Sequence, residues 1–144
     1  MDEKVYEKAI RLLTLRLHTT GELQKKLKQK GFPDQDILPV LRHLEDLKFL
    51  DDKRFAEIFV DNLKRYKDFG YYGIKVKLLS RHIPSDMAEA ALKEFFTPED
   101  ELIVATRLTK KLSKRTYEQK ARALSSRGFR TDIVRQVLAE FLSE

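Results

Sequence analysis

The sequence "LQKKLKQKGFPDQDILPVLRHL", residues 23–44, decides the fold because its apolar pattern recurs at two later places in the chain. A shift of 51 residues superimposes Leu23, Leu27, Phe32, Leu41 and Leu44 on Ile74, Leu78, Ile83, Leu92 and Phe95. A shift of 97 superimposes Leu27, Gly31, Phe32, Ile37, Val40, Leu41 and Leu44 on Leu124, Gly128, Phe129, Val134, Val137, Leu138 and Phe141. Helical arrays with repeats of this length stack neighbouring modules to bury a continuous core.

Local signals indicate that the repeated unit is helical. Thr97 and Thr116 are typical helix caps, and Gly31 and Gly128 follow helix ends, where glycine adopts a left-handed backbone easily. We therefore predict an all-α fold of three tandem three-helix modules that form an elongated, curved helical-repeat array. The modules are expected at residues 1–50, 51–96 and 97–144. A nine-helix bundle with accidental internal similarity is the alternative.

Paired aspartates open the stretch "FLDDKRFAEIFV", residues 49–60. Asp51 and Asp52 could belong to a catalytic or metal site, since Glu45 and Asp46 lie nearby, but no histidine accompanies them in a suitable motif. The apolar residues that follow recur with helical spacing, so one of the two aspartates is placed to cap that helix. We interpret the pair as a structural cap between the first and second modules.

Composition excludes several classes of function. The chain has no cysteine, so it has no disulfide, zinc-thiolate site or cysteine nucleophile. No apolar run approaches the roughly 20 residues of a membrane span, and the start lacks the pattern of a secretory signal. The histidines lack metal-ligand spacing, and no glycine-rich phosphate loop is present. We expect a cytoplasmic, monomeric protein that is not an enzyme, with no catalytic residue, cofactor, metal or membrane partner.

Positive charge is concentrated on the predicted middle helix of each module. Residues 19–32, 70–83 and 113–130 together carry a net +11, whereas the whole chain carries +6 and the remainder therefore −5. Such a distribution favours a basic side that follows a phosphate backbone or an acidic filament groove. The predicted basic side comprises Lys25, Lys26, Lys30, Lys75, Lys77, Arg81, Lys114, Arg115, Lys120, Arg122, Arg127 and Arg130. Ordinary solvated helix faces are the alternative.

Two further readings of nucleic-acid binding are weaker. Aromatic residues near the basic helices could stack on bases, although such residues more often pack in a core or turn; they are Tyr66, Phe69, Tyr71, Tyr72 and Tyr117. The last two helices of each module have the outline of a helix-turn-helix. Acidic residues on the last helix would repel phosphates, which argues against reading of the major groove.

These motifs resemble those of the RecX family of bacterial recombination regulators. The resemblance covers essentially the whole chain, and its clearest parts are "LDDKRFAEIFV" and "ELQKKLKQKGF". "FGYYGIKVKLL" is also similar to the family's entry to the second middle helix. In "SRHIPSD", His82 stands where the family has glycine, which predicts a less sharply turned helix end at that position.

The resemblance implies a regulator that binds the RecA recombinase and its filament on single-stranded DNA. Family members typically inhibit strand exchange, ATP hydrolysis and coprotease activity, so a role in homologous recombination, DNA repair and the SOS response is expected. Direct contact with DNA is expected to be weak or non-specific. The alternatives are a general single-stranded nucleic-acid-binding module and a helical accessory subunit of an enzyme. Only the first of these three functions predicts a recombinase-specific reduction of DNA-dependent ATP hydrolysis or strand exchange at substoichiometric amounts of the protein.

Overall fold

The computed structural model describes residues 1–143 of the 144-residue chain, with side chains described through residue 142. This part of the chain forms nine α-helices and no strand, which confirms the predicted all-α class. The helices are α1 Glu3–Leu15, α2 Thr20–Gln29, α3 Asp34–Asp46, α4 Asp52–Tyr66, α5 Tyr71–Ser80, α6 Ser85–Phe95, α7 Pro98–Lys111, α8 Tyr117–Ser126 and α9 Thr131–Ser143. Within the described residues, none of these helices is both long enough and apolar enough to cross a membrane.

The helix starts reproduce the internal repeat. The middle helices α2, α5 and α8 are each 10 residues long and begin at Thr20, Tyr71 and Tyr117. The helices that follow them, α3, α6 and α9, begin at residues 34, 85 and 131. Both series are separated by the shifts of 51 and 97 found in the sequence, so the helical repeat is confirmed.

The chain divides into two compact units. One contains Met1–Phe55 together with Arg81–Ile83, and the other contains Ala56–Ser80 together with the chain from Pro84 onward. The division passes through the second predicted module. The limits of three separate modules therefore stay a prediction.

The first unit is a three-helix bundle, in which α1, α2 and α3 pack against one another. The repeated residues Leu27, Leu41 and Leu44 lie in its core and are at most 3% exposed. The other buried members of this core are Val5, Ala9, Leu23, Ile37, Val40 and Leu50. The 3.6-residue spacing of the apolar residues on α3 turns these side chains to one face, and burial of that face holds the bundle together.

The second unit packs α5 against α6, and α7 and α8 against α9. Its repeated apolar positions are buried as well, including Leu78, Leu92, Leu124 and Leu138. Phe96, at the end of α6, is only 1% exposed. The same repeat therefore supplies core residues to both units.

The turns after the middle helices all use a left-handed backbone. Gly31 and Gly128 have φ angles of 94° and 81°, and His82 has a φ angle of 61°. The prediction of a less sharply turned helix end at His82 is therefore wrong, because the histidine adopts the left-handed conformation that glycine adopts in the other two turns. Gly21 leaves room for it, since a Cβ atom on Gly21 would lie 2.6 Å from the His82 Cβ.

Candidate binding surface

The paired aspartates cap two different helices. The Asp51 carboxylate accepts a hydrogen bond from Arg54 N at 3.1 Å and caps α4, as predicted. The Asp52 carboxylate accepts hydrogen bonds from Thr20 N at 2.8 Å and from the Thr20 hydroxyl at 3.1 Å, so it caps the start of α2. Neither aspartate belongs to a cluster of three or more possible metal ligands in the described residues.

Glu101, which the sequence reasoning missed, is the corresponding cap in the second unit. Its carboxylate accepts a hydrogen bond from Tyr71 N at 2.9 Å, at the start of α5, and another from Arg130 N at 3.0 Å. Tyr71 is the repeat equivalent of Thr20, so each of these middle helices is capped by an acid from the helix that opens the following trio. The one signal available in the sequence is Gly70, which has no side chain with which to cap α5.

The threonine and glycine caps lie where the sequence places them. Thr97 and Thr116 each form a capping box, with Asp100 and Gln119 respectively. Gly31 and Gly128 end α2 and α8 in the left-handed conformation. Each of these four residues therefore contributes to the start or the end of a helix.

Within the first unit, Arg81 contacts the start of α2. Its carbonyl accepts a hydrogen bond from the Thr19 hydroxyl at 2.6 Å, and its Nε donates to Glu22 Oε2 at 2.9 Å. Burial alone would raise the pKa of Glu22, but hydrogen bonds from Arg81, the Thr19 amide and Arg16 lower that pKa to about 2. Arg81 therefore belongs to an internal ion pair that stabilises the first unit.

Within the second unit, the end of α8 contacts the start of α5. Gly70 N donates to Arg127 O at 3.0 Å, and Tyr72 N donates to Gly128 O at 2.9 Å. Gly73 lies directly against the Arg127 carbonyl, where a Cβ atom would overlap the backbone. The glycines at the start of α5 thus permit the close approach of two backbones.

Most predicted basic residues have partners inside the protein. Arg130 Nε donates to Glu101 Oε1 at 2.6 Å, and the Glu101 side chain is fully buried. Lys75 pairs with Glu89 at 2.7 Å. Lys77 and Arg127 lie over the Phe69 ring, at 4.4 and 5.5 Å from its centroid. These contacts hold the basic side chains in place and reduce their availability to a partner.

Lys26 is held by a buried histidine. Its ammonium lies 2.8 Å from His18 Nε2, while His18 Nδ1 lies 2.9 Å from Arg16 O. Burial lowers the pKa of His18; the hydrogen bond to Arg16 opposes this effect, and the charges of Arg16 and Lys26 add to it. A neutral imidazole that accepts a hydrogen bond from Lys26 fits this arrangement.

The prediction that Lys120 lies on the basic side is wrong. The residue is only 3% exposed, and its ammonium lies 3.5 Å from the centroid of the Phe141 ring. Its position on α8 faces α9, so its alkyl chain packs in the second unit. Helical spacing could not reveal this, because a lysine within a basic segment reads as a solvated residue.

Five predicted residues remain exposed without a side-chain hydrogen bond or ion pair to any described residue, and we call them the free basic residues. They are Lys25, Lys30, Lys114, Arg115 and Arg122. Two lie in the first unit and three in the second. Three tyrosines of the second unit are also exposed, namely Tyr66 (75%), Tyr72 (55%) and Tyr117 (41%). Exposed cations can bind an anionic surface through charge, and exposed aromatic rings can stack on bases.

The described residues form nine helices in a repeating order, with exposed basic residues on or beside the middle helices α2 and α8. This arrangement defines an all-α helical-repeat protein. The family model for the first three-helix domain of RecX matches residues 6–44, and the model for the second matches residues 51–92. The chain belongs to the RecX family.

Similar proteins extend this relationship over the whole chain. The regulatory protein RecX of Prosthecochloris aestuarii is 35% identical, with 97% of this chain and 95% of that protein covered. The regulatory protein RecX of Trichlorobacter lovleyi is 30% identical, with 92% of each covered. A crystal structure of RecX from Lactobacillus salivarius is 26% identical and superimposes with a TM-score of 0.86, covering 98% of this chain and 96% of that one. The relatives carry the name of a regulatory protein, so a regulatory role follows for this chain.

Proposed function

We propose that this protein binds the RecA recombinase and its filament on single-stranded DNA and inhibits strand exchange, ATP hydrolysis and coprotease activity. Membership of the RecX family carries the proposal, and the free basic residues supply a physical means of binding. The protein acts as a cytoplasmic monomer, without a cofactor or a catalytic step. Its regulatory effect comes from occupying the filament.

The free basic residues suit a target that presents phosphates. Lysine and arginine gain affinity for DNA by releasing its condensed counterions. Phosphate contacts of this kind fix position without reading sequence, which matches a regulator of filaments formed on any single strand. Lys25 and Lys30 in the first unit and Arg115 and Arg122 in the second are the residues we assign to this contact.

The test is the DNA-dependent ATPase activity of the cognate recombinase with and without this protein. We expect the wild-type protein to reduce ATP hydrolysis, and the fourfold substitution K25E/K30E/R115E/R122E to weaken this effect by at least tenfold in concentration. The matched control is R11E/R42E/K53E/R135E, which changes the net charge equally at four other exposed positions. Equal inhibition by both variants would exclude the proposed contact, and no inhibition by the wild type would exclude the function.

A second candidate function, a general single-stranded nucleic-acid-binding module, is favoured by the exposed tyrosines. Aromatic side chains stack on bases with little sequence preference. This function predicts that Tyr72→Ala and Tyr117→Ala weaken binding to bare single-stranded DNA, and that the protein has no effect on the recombinase beyond competition for DNA. Fluorescence anisotropy with labelled oligonucleotides, beside the ATPase assay, separates the two candidates.

A further inference from the structure

A cavity of about 240 Å³ lies between α7, α8 and α9 in the second unit. Its wall includes Lys110 from the end of α7, Ser113 just after that helix, Lys120 from α8, and Phe141 from α9. Drug-sized ligands occupy sites of about 300–1,000 Å³, so this cavity suits a smaller molecule. The proposed contact through the free basic residues uses none of the residues that line this cavity.

Lys120 is the unusual member of this wall. The residue is 97% buried, since only 3% of its surface is exposed, yet its ammonium has no hydrogen bond or ion pair with any described residue. Among the described residues, its ammonium contacts the face of the Phe141 ring, with Nζ 3.5 Å from the ring centroid. The side chain of Lys120 is enclosed, but its Nζ atom keeps contact with the open space of the cavity. An ammonium that has lost most of its surrounding water is stabilised by hydrogen-bond acceptors or a counter-charge. The ring face supplies only part of this stabilisation.

The rest of the wall offers mostly donors. Lys110 adds a second ammonium, and Ser113 and Thr106 add hydroxyl groups. The Thr109 hydroxyl donates to Thr106 O at 2.9 Å and is already used. Glu140 places one carboxylate on the wall, so the charged side chains of the cavity sum to one positive charge. A small space lined by several groups that can donate hydrogen bonds suits a tetrahedral oxyanion, which accepts more hydrogen bonds than a carboxylate.

We propose that this cavity is a binding site for a phosphate group, with the Lys120 ammonium as the principal contact. The phosphate is either the free ion or the phosphate of a small monoester such as a nucleoside monophosphate. The apolar surface of Phe141 beside the cavity can contact the organic part of a monoester. Bound phosphate supplies the acceptors that Lys120 lacks and ties α7, α8 and α9 together.

The test is titration of the isolated protein with sodium phosphate at constant ionic strength, followed by the amide signals of Thr106, Thr109 and Ser113 in ¹H–¹⁵N spectra. The variant Lys120→Met keeps the length and burial of the side chain but removes its charge, and Lys93→Met, at an exposed position of the same unit, is the control. We expect Lys120→Met to weaken phosphate binding by about tenfold or more, because a charge-assisted hydrogen bond is lost. Lys93→Met is expected to bind as the wild type does.

A second variant tests the proposal even if Lys120→Met fails to fold. Glu140→Gln removes the negative charge on the wall and is expected to tighten phosphate binding severalfold. Absence of saturable shifts in the wild type, or unchanged binding by both Lys120→Met and Glu140→Gln, would overturn the proposal. Parallel titrations with deoxyadenosine monophosphate identify the source of the phosphate: tighter binding of the monoester assigns a nucleotide, and equal or weaker binding assigns the free ion.

Discussion

Glu22 and Glu101 each accept hydrogen bonds from an arginine side chain and from a backbone amide beside the start of a middle helix. The Glu22 carboxylate accepts hydrogen bonds from the Arg81 side chain and Thr19 N. The Glu101 carboxylate accepts them from the Arg130 side chain and Tyr71 N. At the scale of the residue, these carboxylates convert two basic residues of the predicted binding side into structural ones. A buried ion pair of this kind is costly to break from one side, because the remaining charge is left without a partner.

Replacing Glu101 with Ala should destabilise the protein strongly. Arg130 would remain part-buried without its carboxylate, and Tyr71 N would lose its acceptor, so we expect a loss of about 3–5 kcal/mol in the free energy of unfolding. Urea denaturation followed by circular dichroism measures this change. Glu99→Ala, at an exposed position in the same helical turn, is the control and should change stability by less than about 0.5 kcal/mol. A similar loss in both variants would contradict the role of Glu101.

Glu22 should make the free energy of unfolding depend on pH in the acidic range. Its pKa is about 2 in the folded protein, whereas the usual value is 4.5. The unfolded chain therefore binds more protons than the folded protein does between these two pH values. The stabilising contribution is therefore present above pH 4.5 and is lost as the pH falls towards 2, with a total of roughly 3 kcal/mol.

Urea midpoints measured from pH 5.5 to pH 2.5 test this expectation for Glu22. Asp68 also has a lowered pKa, because hydrogen bonds from Lys111 and Arg107 outweigh the raising effect of burial, and it adds to the same trend. The variant Glu22→Gln separates the two contributions, since it should lose stability at neutral pH and show a flatter pH dependence than the wild type. A pH dependence equal to that of the wild type would argue against the ion pair with Arg81.

At the scale of the element, the three middle helices share one length but differ in how they begin. α2 has its own capping box at Thr19 and also receives Asp52, α8 has a capping box at Thr116, and α5 depends on Glu101. The start of α5 is further fixed by its approach to the backbone at Arg127 and Gly128. Short helices are marginal without such contacts.

Gly73→Ala should reverse the usual effect of this substitution in a helix. Alanine normally stabilises a helix interior by about 1 kcal/mol relative to glycine. Here the new Cβ would overlap the Arg127 carbonyl, so α5 and α8 would be forced apart and stability should fall by more than about 1 kcal/mol. Thermal unfolding of Gly73→Ala beside the wild type checks the sign. A raised melting temperature would show that the two helices do not approach so closely.

Much of this element structure could be predicted from the sequence. The 3.6-residue spacing, the threonine caps and the glycine helix ends are local patterns, because their causes lie within about four residues along the chain. The Arg81 partner of Glu22 lies 59 residues away along the chain, and the Tyr71 and Arg130 partners of Glu101 lie 30 and 29 residues away. Such pairs are set by packing between helices and leave no local pattern, which is why Arg81, Arg130 and Lys120 were assigned to the surface.

At the scale of the whole molecule, the three basic segments supply fewer available cations than the sequence indicates. The basic segments carry +11, but ion pairs, ring contacts and the burial of Lys120 leave five free basic residues outside internal contacts. Any electrostatic binding should therefore depend on a few positions rather than on total charge.

Binding to a recombinase filament on single-stranded DNA should weaken steeply with salt. For single strands the slope of log affinity against log salt concentration is about −0.7 for each phosphate contact. The variant K25E/K30E/R115E/R122E should show a shallower slope, by up to about 0.7 for each contact removed, whereas R11E/R42E/K53E/R135E should keep the slope of the wild type. Binding measurements between about 50 and 200 mM salt test this expectation, and equal slopes for both variants would rule out the assigned contacts.

The capping of α2 and α5 by later residues also bears on synthesis at the ribosome. Thr20 receives its cap from Asp52, which is added 32 residues later, and Tyr71 receives its cap from Glu101, 30 residues later. Domains generally fold as units from the N-terminus as the chain emerges. In this protein, however, α5 cannot be completed until Glu101 and the backbone at Arg127 and Gly128 have left the exit tunnel. We therefore expect nascent chains that stop after α6 to leave the start of α5 accessible to proteases, although every residue of that helix has already been translated.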